Sequence, residues 1–356
     1  MKRAMDWDKE KLRKKILLLF LGLLFVFAAA SAVTTGAVPI GWQEVLAVIF
    51  ERLPGCSPPV EISGVHREIL IQMRLPRVLL AAAVGASLAV AGATFQGLFR
   101  NPMADPYVIG VSSGAALGAV FAMMTKSTFS MAGFGAVPLF AFAGGLSAIL
   151  IVYYMARVGR VVPVMTLLLA GIAISAFLSA LVSLLTYFAG EQLHQVVFWM
   201  MGGFSGASWL KVKVMIPYAL VGYLSIQLFA RELNAMLLGE ETARHLGVET
   251  EKVKKFLLVG ASLLVAAAVA TSGVIGFIGL IVPHFIRLVA GPDHRFLLPA
   301  SAFLGAGLLI GTDTLARTVM APAELPVGII TAMVGAPLFI YLLKKRKKLR
   351  YFHSSE

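Results

Sequence analysis

Ten stretches of about twenty mostly apolar residues, none with more than two charges, follow one another along this chain, over about 16–36, 75–99, 105–125, 134–156, 163–189, 212–230, 256–272, 274–290, 296–317 and 326–343. No water-soluble globule of this size can hide that much apolar surface. A bilayer core of roughly 30 Å needs about 20 apolar residues per helix, which each stretch supplies. Composition points the same way: 59% of the 356 residues are hydrophobic, 14% are charged, and the mean hydropathy is +0.86. Soluble domains carry about 25% charged residues. An ordinary cytosolic enzyme, a disordered chain and a nucleic-acid-binding domain are excluded as first readings. In lipid the backbone must satisfy its own hydrogen bonds, so helices are the default. Runs such as Leu257–Ala270 lack the alternation of barrel strands. The expected fold is all-α: a polytopic membrane protein, one domain over 1–356, with a ten-helix transmembrane bundle.

Basic residues orient that bundle. With both termini cytoplasmic, the inner segments hold 23 of the 31 Lys and Arg, and the net charge of +13 becomes an orientation signal. Residues 1–15 and 344–356 are then cytoplasmic tails, 37–74 is extracytoplasmic, and 231–255 is a cytoplasmic segment. Residues 1–33 resemble a signal peptide, but the run from Ile16 to Val33 is long for one and nine spans follow, so the first helix is retained. Leu53-Pro54-Gly55-Cys56 faintly resembles a lipoprotein cleavage box, yet it lies some twenty residues beyond its apolar run. Cys56 therefore reads as an isolated outer-loop residue, and with one Cys no internal disulfide can form.

Function should live in the hydrophilic stretches. On the outside, Trp42–Arg52 reads as an interfacial amphipathic helix with Trp42, Val45, Leu46, Ile49 and Phe50 sharing a face. Arg74 and Arg77 stand at the mouth of the second span. They either snorkel to the interface or offer bidentate docking to carboxylates of a soluble partner. On the inside, 231–255 reads as two short helices in an L. Leu233, Met236 and Leu237 form one face, Gly239 stops the first helix, and Glu240 and Glu241 open the second. This is a docking shape or a solvated connector. The turn 271–284 has glycines at every third position, which suits close helix packing; a hinge is the alternative. Asp105 caps the third span, Gln96 satisfies a neighbouring helix, and Asp313 and Arg317, i and i+4, form a structural pair.

Long, ordered strings make the chain similar to the FecCD-type permeases of ABC importers for vitamin B12, iron–siderophore and haem. They include Arg74-Leu75-Pro76-Arg77, Arg100-Asn101-Pro102-Met103-Ala104-Asp105-Pro106, the Gly239–Val248 segment, Gly276-Phe277-Ile278-Gly279-Leu280-Ile281-Val282-Pro283-His284, and Glu324-Leu325-Pro326-Val327-Gly328. The family usually has Leu where Met103 stands, a mild departure. The resemblance implies a permease subunit, not an enzyme, in a bacterial or archaeal cell (inner) membrane. Its implied partners are a second copy as homodimer, two ATP-binding subunits, an extracytoplasmic binding protein and membrane lipid, with no nucleic acid. It implies docking of the binding protein by Arg74, Arg77 and Arg317. It implies ATPase coupling through Gly239, Glu240, Glu241, Ala243, Leu246 and Gly247. The chain itself carries no cofactor and no metal site. It lacks a Gly-x-x-x-x-Gly-Lys-[Ser/Thr] phosphate loop, so ATP and Mg belong to a separate ATPase. A ferric siderophore is the expected cargo; cobalamin and haem are alternatives that the sequence does not separate.

Two other classes fit poorly. An intramembrane metalloprotease or prenyltransferase would show His-Glu-x-x-His or an Asp-rich pair. An ion-coupled transporter would place carboxylates in mid-membrane, whereas almost every Asp and Glu here maps to a span end or loop. The orientation is testable: a membrane-impermeant thiol reagent should modify Cys56 from outside only. Modification solely from the cytoplasmic side would invert the topology.

Overall fold

The computed structural model describes residues 2–51, 60–159 and 161–353; Arg52, Cys56 with its Leu53-Pro54-Gly55 neighbours, and Arg160 lie outside them. The described chain is helical almost throughout. In order come α1 (Lys2–Thr34), α2 (Trp42–Phe50) and α3 (Gly64–Glu68). A wide turn, Ile69–Arg74, then leads straight into α4 (Leu75–Leu98). A single tight turn, Pro106–Ile109, precedes α5 (Val111–Met124), and a small antiparallel hairpin, β1 (Ser130–Met131) with β2 (Phe134–Gly135), precedes α6 (Ala136–Ala156). There follow α7 (Val164–Tyr187), α8 (Leu193–Met200), α9 (Trp209–Leu228), α10 (Ala230–Leu237) and α11 (Glu240–His245). The last four are α12 (Thr250–Ser272), α13 (Ile278–Ala290), α14 (His294–Ala316) and α15 (Val327–His353).

Among the described residues seven helices are long and apolar enough to cross a bilayer: α1, α4, α6, α7, α9, α12 and α14. Three shorter apolar helices, α5, α13 and the first half of α15, stand where the remaining three spans were expected. The all-α polytopic class is thus as the sequence indicated. α5 and α13 differ from expectation in kind. Their 14 and 13 residues reach about 20 Å at 1.5 Å per residue, too short for a bilayer core of roughly 30 Å. The rest of each crossing is irregular backbone, tolerated at depth only inside protein. Before α13 the chain is extended, with Gly273 at φ +71° and Phe277 at φ +70°. The expected stripe of glycines on one helix face is therefore not formed; of the three, only Gly279 is helical. The two broken segments meet at Tyr107, whose hydroxyl accepts from Ile275 N at 3.1 Å and donates to Ile275 O.

The core runs along α4, which packs on α9, α12, α13 and α14 and is almost wholly buried. Close approach is possible because side chains are missing where backbones cross. A Cβ at Gly92 would stand 1.8 Å from Gly279 O, and one at Gly85 would stand 2.3 Å from Gly305 O. Lipid tails are as apolar as leucine, so such packing replaces the hydrophobic drive of soluble cores. Outside the bundle, α2 forms as expected but turns Ala47 and Val48 inward while Trp42 and Leu46 are exposed. Gly92→Ala should destabilise the purified chain in detergent by about 1–3 kcal/mol through overpacking. Gly260→Ala, whose Cβ clears Ile226 Cγ1 at 3.8 Å, should leave the thermal midpoint unchanged. Equal midpoints for both variants would refute the contact.

Candidate functional site: the two ends of the bundle

α1 ends at Thr34 with carbonyls that have no partner further along the helix. Two arginines from distant helices supply it. Arg74 Nη1 donates to Val33 O at 2.8 Å and Thr34 O at 2.7 Å, and its Nη2 donates to Val38 O. Arg317 Nη2 donates to Ala32 O and, at 3.4 Å, to Thr314 Oγ1. Positive charge at a helix C-terminus is also favoured by the helix dipole. Arg77 faces the other way. Its Nε and Nη2 grip Asp313 at 2.9 Å, and its Nη1 reaches Glu324 at 2.8 Å. The expected i, i+4 pair of Asp313 with Arg317 is replaced by this one, because Arg77 offers two parallel donors to a carboxylate only 2% exposed. The three arginines thus lie together at the end of the bundle expected to face outward, buried or nearly so, with partners inside the chain, although Arg317 Nε finds none among the described residues. Partners 36 to 285 residues away in sequence are invisible to local pattern reading.

Beside them opens an outer cavity of about 570 Å³, lined by Arg77, His194, Trp199, Lys211, Ser272 and Glu324 among others. α8 contributes His194 and Trp199; neither the helix nor the cavity was foreseen. At the opposite end a smaller cavity of about 320 Å³ is lined by Gln96, Arg100, Leu237, His284, Arg287 and Pro292. Gln96 does bridge helices as expected: it donates to Leu280 O at 3.0 Å and accepts from Arg287 at 2.7 Å. Asp105 caps the tight turn Pro106–Ile109, accepting from Tyr107 N at 2.8 Å, and not the third span's helix as expected, because α5 starts only after Gly110.

This smaller cavity abuts α10 through Leu237, and α11 follows directly. Gly239 joins them at φ +118°, a conformation closed to residues with a side chain. Leu233, Met236 and Ala243 are buried against the bundle, while Leu238 and Leu246 are 68% and 64% exposed. Two polar clamps hold the L in place. On one side Asn234 donates to Asp293 at 2.7 Å and accepts from His294 N at 2.8 Å. Burial alone would raise the Asp293 carboxyl, but hydrogen bonds from Arg295 and Asn234 outweigh it and hold it at about 2. It therefore stays ionised throughout the neutral range. On the other side the buried Lys254 ammonium pairs with Glu251 at 2.6 Å and Glu240 at 3.1 Å, and donates to Val162 O at 3.2 Å. This pairing explains why α12 begins at Thr250, inside the stretch expected to be hydrophilic. Glu240 is thus an internal anchor, whereas Glu241, Leu246 and Gly247 face outward.

Replacing Arg77 by Gln should cost about 3–5 kcal/mol by stranding buried Asp313, and Asp313→Asn in the same chain should recover much of it. Glu324→Gln, at a position 40% exposed, should cost under about 1 kcal/mol. Thermal unfolding in detergent reads all three; a harmless Arg77→Gln would contradict the pairing.

Residues 22–345 match the FecCD transport family. The cobalamin import system permease protein BtuC of Halobacterium salinarum is 44% identical over 90% of this chain and 88% of its own length. The hemin transport system permease protein HmuU of Yersinia pestis is 42% identical over 96% and 98%. A solved structure described as an inward-facing conformation of a metal-chelate type ABC transporter superposes with a TM-score of 0.79. It is 34% identical and covers 93% of this chain and 99% of its own.

Proposed function

The chain belongs to the FecCD transport family, a multi-pass permease and a transport component rather than an enzyme; on that premise we propose that it forms the path by which an ABC importer takes up a large metal chelate. The bundle sits in a bacterial or archaeal cell (inner) membrane and pairs with a second copy. Two separate ATP-binding subunits seat on α10–α11, and an extracytoplasmic binding protein delivers cargo to the other end. The observation that carries this reading is the L of α10 and α11. It is clamped to the bundle on one side and offers Leu238, Glu241, Leu246 and Gly247 on the other. Gly239 and Ala243 allow the L to fold, and Glu240 anchors it. ATP-driven closure of the partner dimer moves this surface, and the clamps pass the motion to α4, α12 and α14.

On the outside, the binding protein docks on the rim that Arg74, Arg77 and Arg317 hold. Arg77 is the one positioned to exchange partners: a glutamate of the binding protein displaces the half-exposed Glu324. Arg74 and Arg317 keep the end of α1 beneath it. Cargo then passes the outer cavity, where Arg77 and Lys211 suit an anionic chelate. A ferric siderophore is our first choice. Cobalamin is the second reading, supported by the likeness to the Halobacterium permease.

Proteoliposomes holding the assembled importer test both parts. Ferric siderophore uptake should require ATP and the binding protein, and uptake of cobalamin alone would overturn the first choice of cargo. Gly239→Val should abolish uptake while ATP hydrolysis continues. Normal uptake in that variant would remove α10–α11 from the coupling route.

A further inference from the structure

A groove of about 740 Å³ opens on the outer surface of the bundle between α9 and α12, far in the fold from the arginine rim. Its floor is small: Gly222 and Ser225 on α9 and Gly260 on α12 leave the space. Its walls are apolar, with Tyr218, Val221, Phe256 and Val259 all exposed. Lys252 and Lys255 stand at one end. That end is the cytoplasmic one, because both lysines lie in the first turn and a half of α12, just after α11. From Lys252 to Leu264 the groove follows twelve residues of α12, about 18 Å at 1.5 Å per residue. This is the depth of one leaflet, half of a hydrocarbon core of roughly 30 Å plus a head group.

We propose that this groove is a binding site for one anionic glycerophospholipid of the cytoplasmic leaflet, with its acyl chains along α9 and α12 and its phosphate between Lys252 and Lys255. The charge pattern selects this occupant. The groove carries basic side chains only at the level where head groups lie, and apolar ones at the level of the tails. Lys252 also meets Glu249 on the surface, but it is 81% exposed there and keeps donors free for a phosphate. A zwitterionic lipid would fill the same volume and gain less from the lysines. The site couples membrane composition to α12, the helix whose first turns hold the α11 clamp. It rests on the membrane orientation and is independent of the cargo.

The test uses the full-length chain in detergent, given phosphatidylglycerol or phosphatidylcholine with identical acyl chains and read by native mass spectrometry. One phosphatidylglycerol per chain should be retained in preference, by about fivefold for each lysine. Lys252→Gln with Lys255→Gln, both surface changes, should erase the preference while leaving the thermal midpoint intact. Gly260→Leu, with room at its Cβ, should evict both lipids. Equal retention of the two lipids by the unaltered chain would overturn the proposal. So would a preference that survives loss of both lysines, or a photocrosslinker at Val259 that captures a second copy of the chain instead of lipid.

Discussion

Backbone-to-backbone approach at α4 is the constraint on which the rest of the bundle depends. Inside a bilayer, apolar side chains gain nothing by leaving lipid for protein, so helices associate where they can come close. Gly85 against Gly305 and Gly92 against Gly279 bring α14 and α13 onto α4 at distances that no side chain permits. α13 can then be short, because the irregular backbone that leads into it is covered by Trp199 of α8, by Gly202 just after α8 and by Gly328 at the start of α15. The same cover lets Tyr107 and Ile275 meet inside the bundle. Two broken crossings next to one rigid helix are a physical basis for a path that changes shape without unfolding.

Charge is used at the ends of this core, and it is used inward. Arg74 and Arg317 complete the last turn of α1, Arg77 neutralises Asp313, and Lys254 joins α11 to α12. Each charge is costly to bury alone and acceptable in its pair. The outer rim and the inner L are consequently stiff, which is what a docking surface and a lever require.

Sequence reading reached the class of fold, the position of the ten apolar segments and the two-helix form of 231–255, because apolar run length and glycine punctuation are local properties; it did not see that three of those segments carry helices shorter than a span. It also found the helix-bridging role of Gln96, and it found that Asp105 caps, though the cap sits on the turn before α5. It missed α8 and the outer cavity, since eight residues of mixed character carry no periodic signature. It paired Asp313 with Arg317, four residues on, because the true partner, Arg77, is 236 residues away. The glycines of 271–284 were placed on a helix because spacing alone does not reveal positive φ at Gly273 and Phe277. The three arginines were recognised as special, but a residue type cannot tell whether its carboxylate or carbonyl lies within the chain or on a partner.

The central claim is that α10 and α11 move with the bundle as one body and so transmit the partner ATPase's motion to the outer end. Pulsed spin-label distances in the assembled importer, with Cys56 replaced, test it most directly. Labels at Leu246, which caps the end of α11, and at Leu308 on α14 should keep one distance with and without ATP. Labels at Gln195 of the two copies, beside the outer cavity, should change theirs. A shift between positions 246 and 308 with no change across the outer cavity would mean that the L swings freely, and would contradict the account.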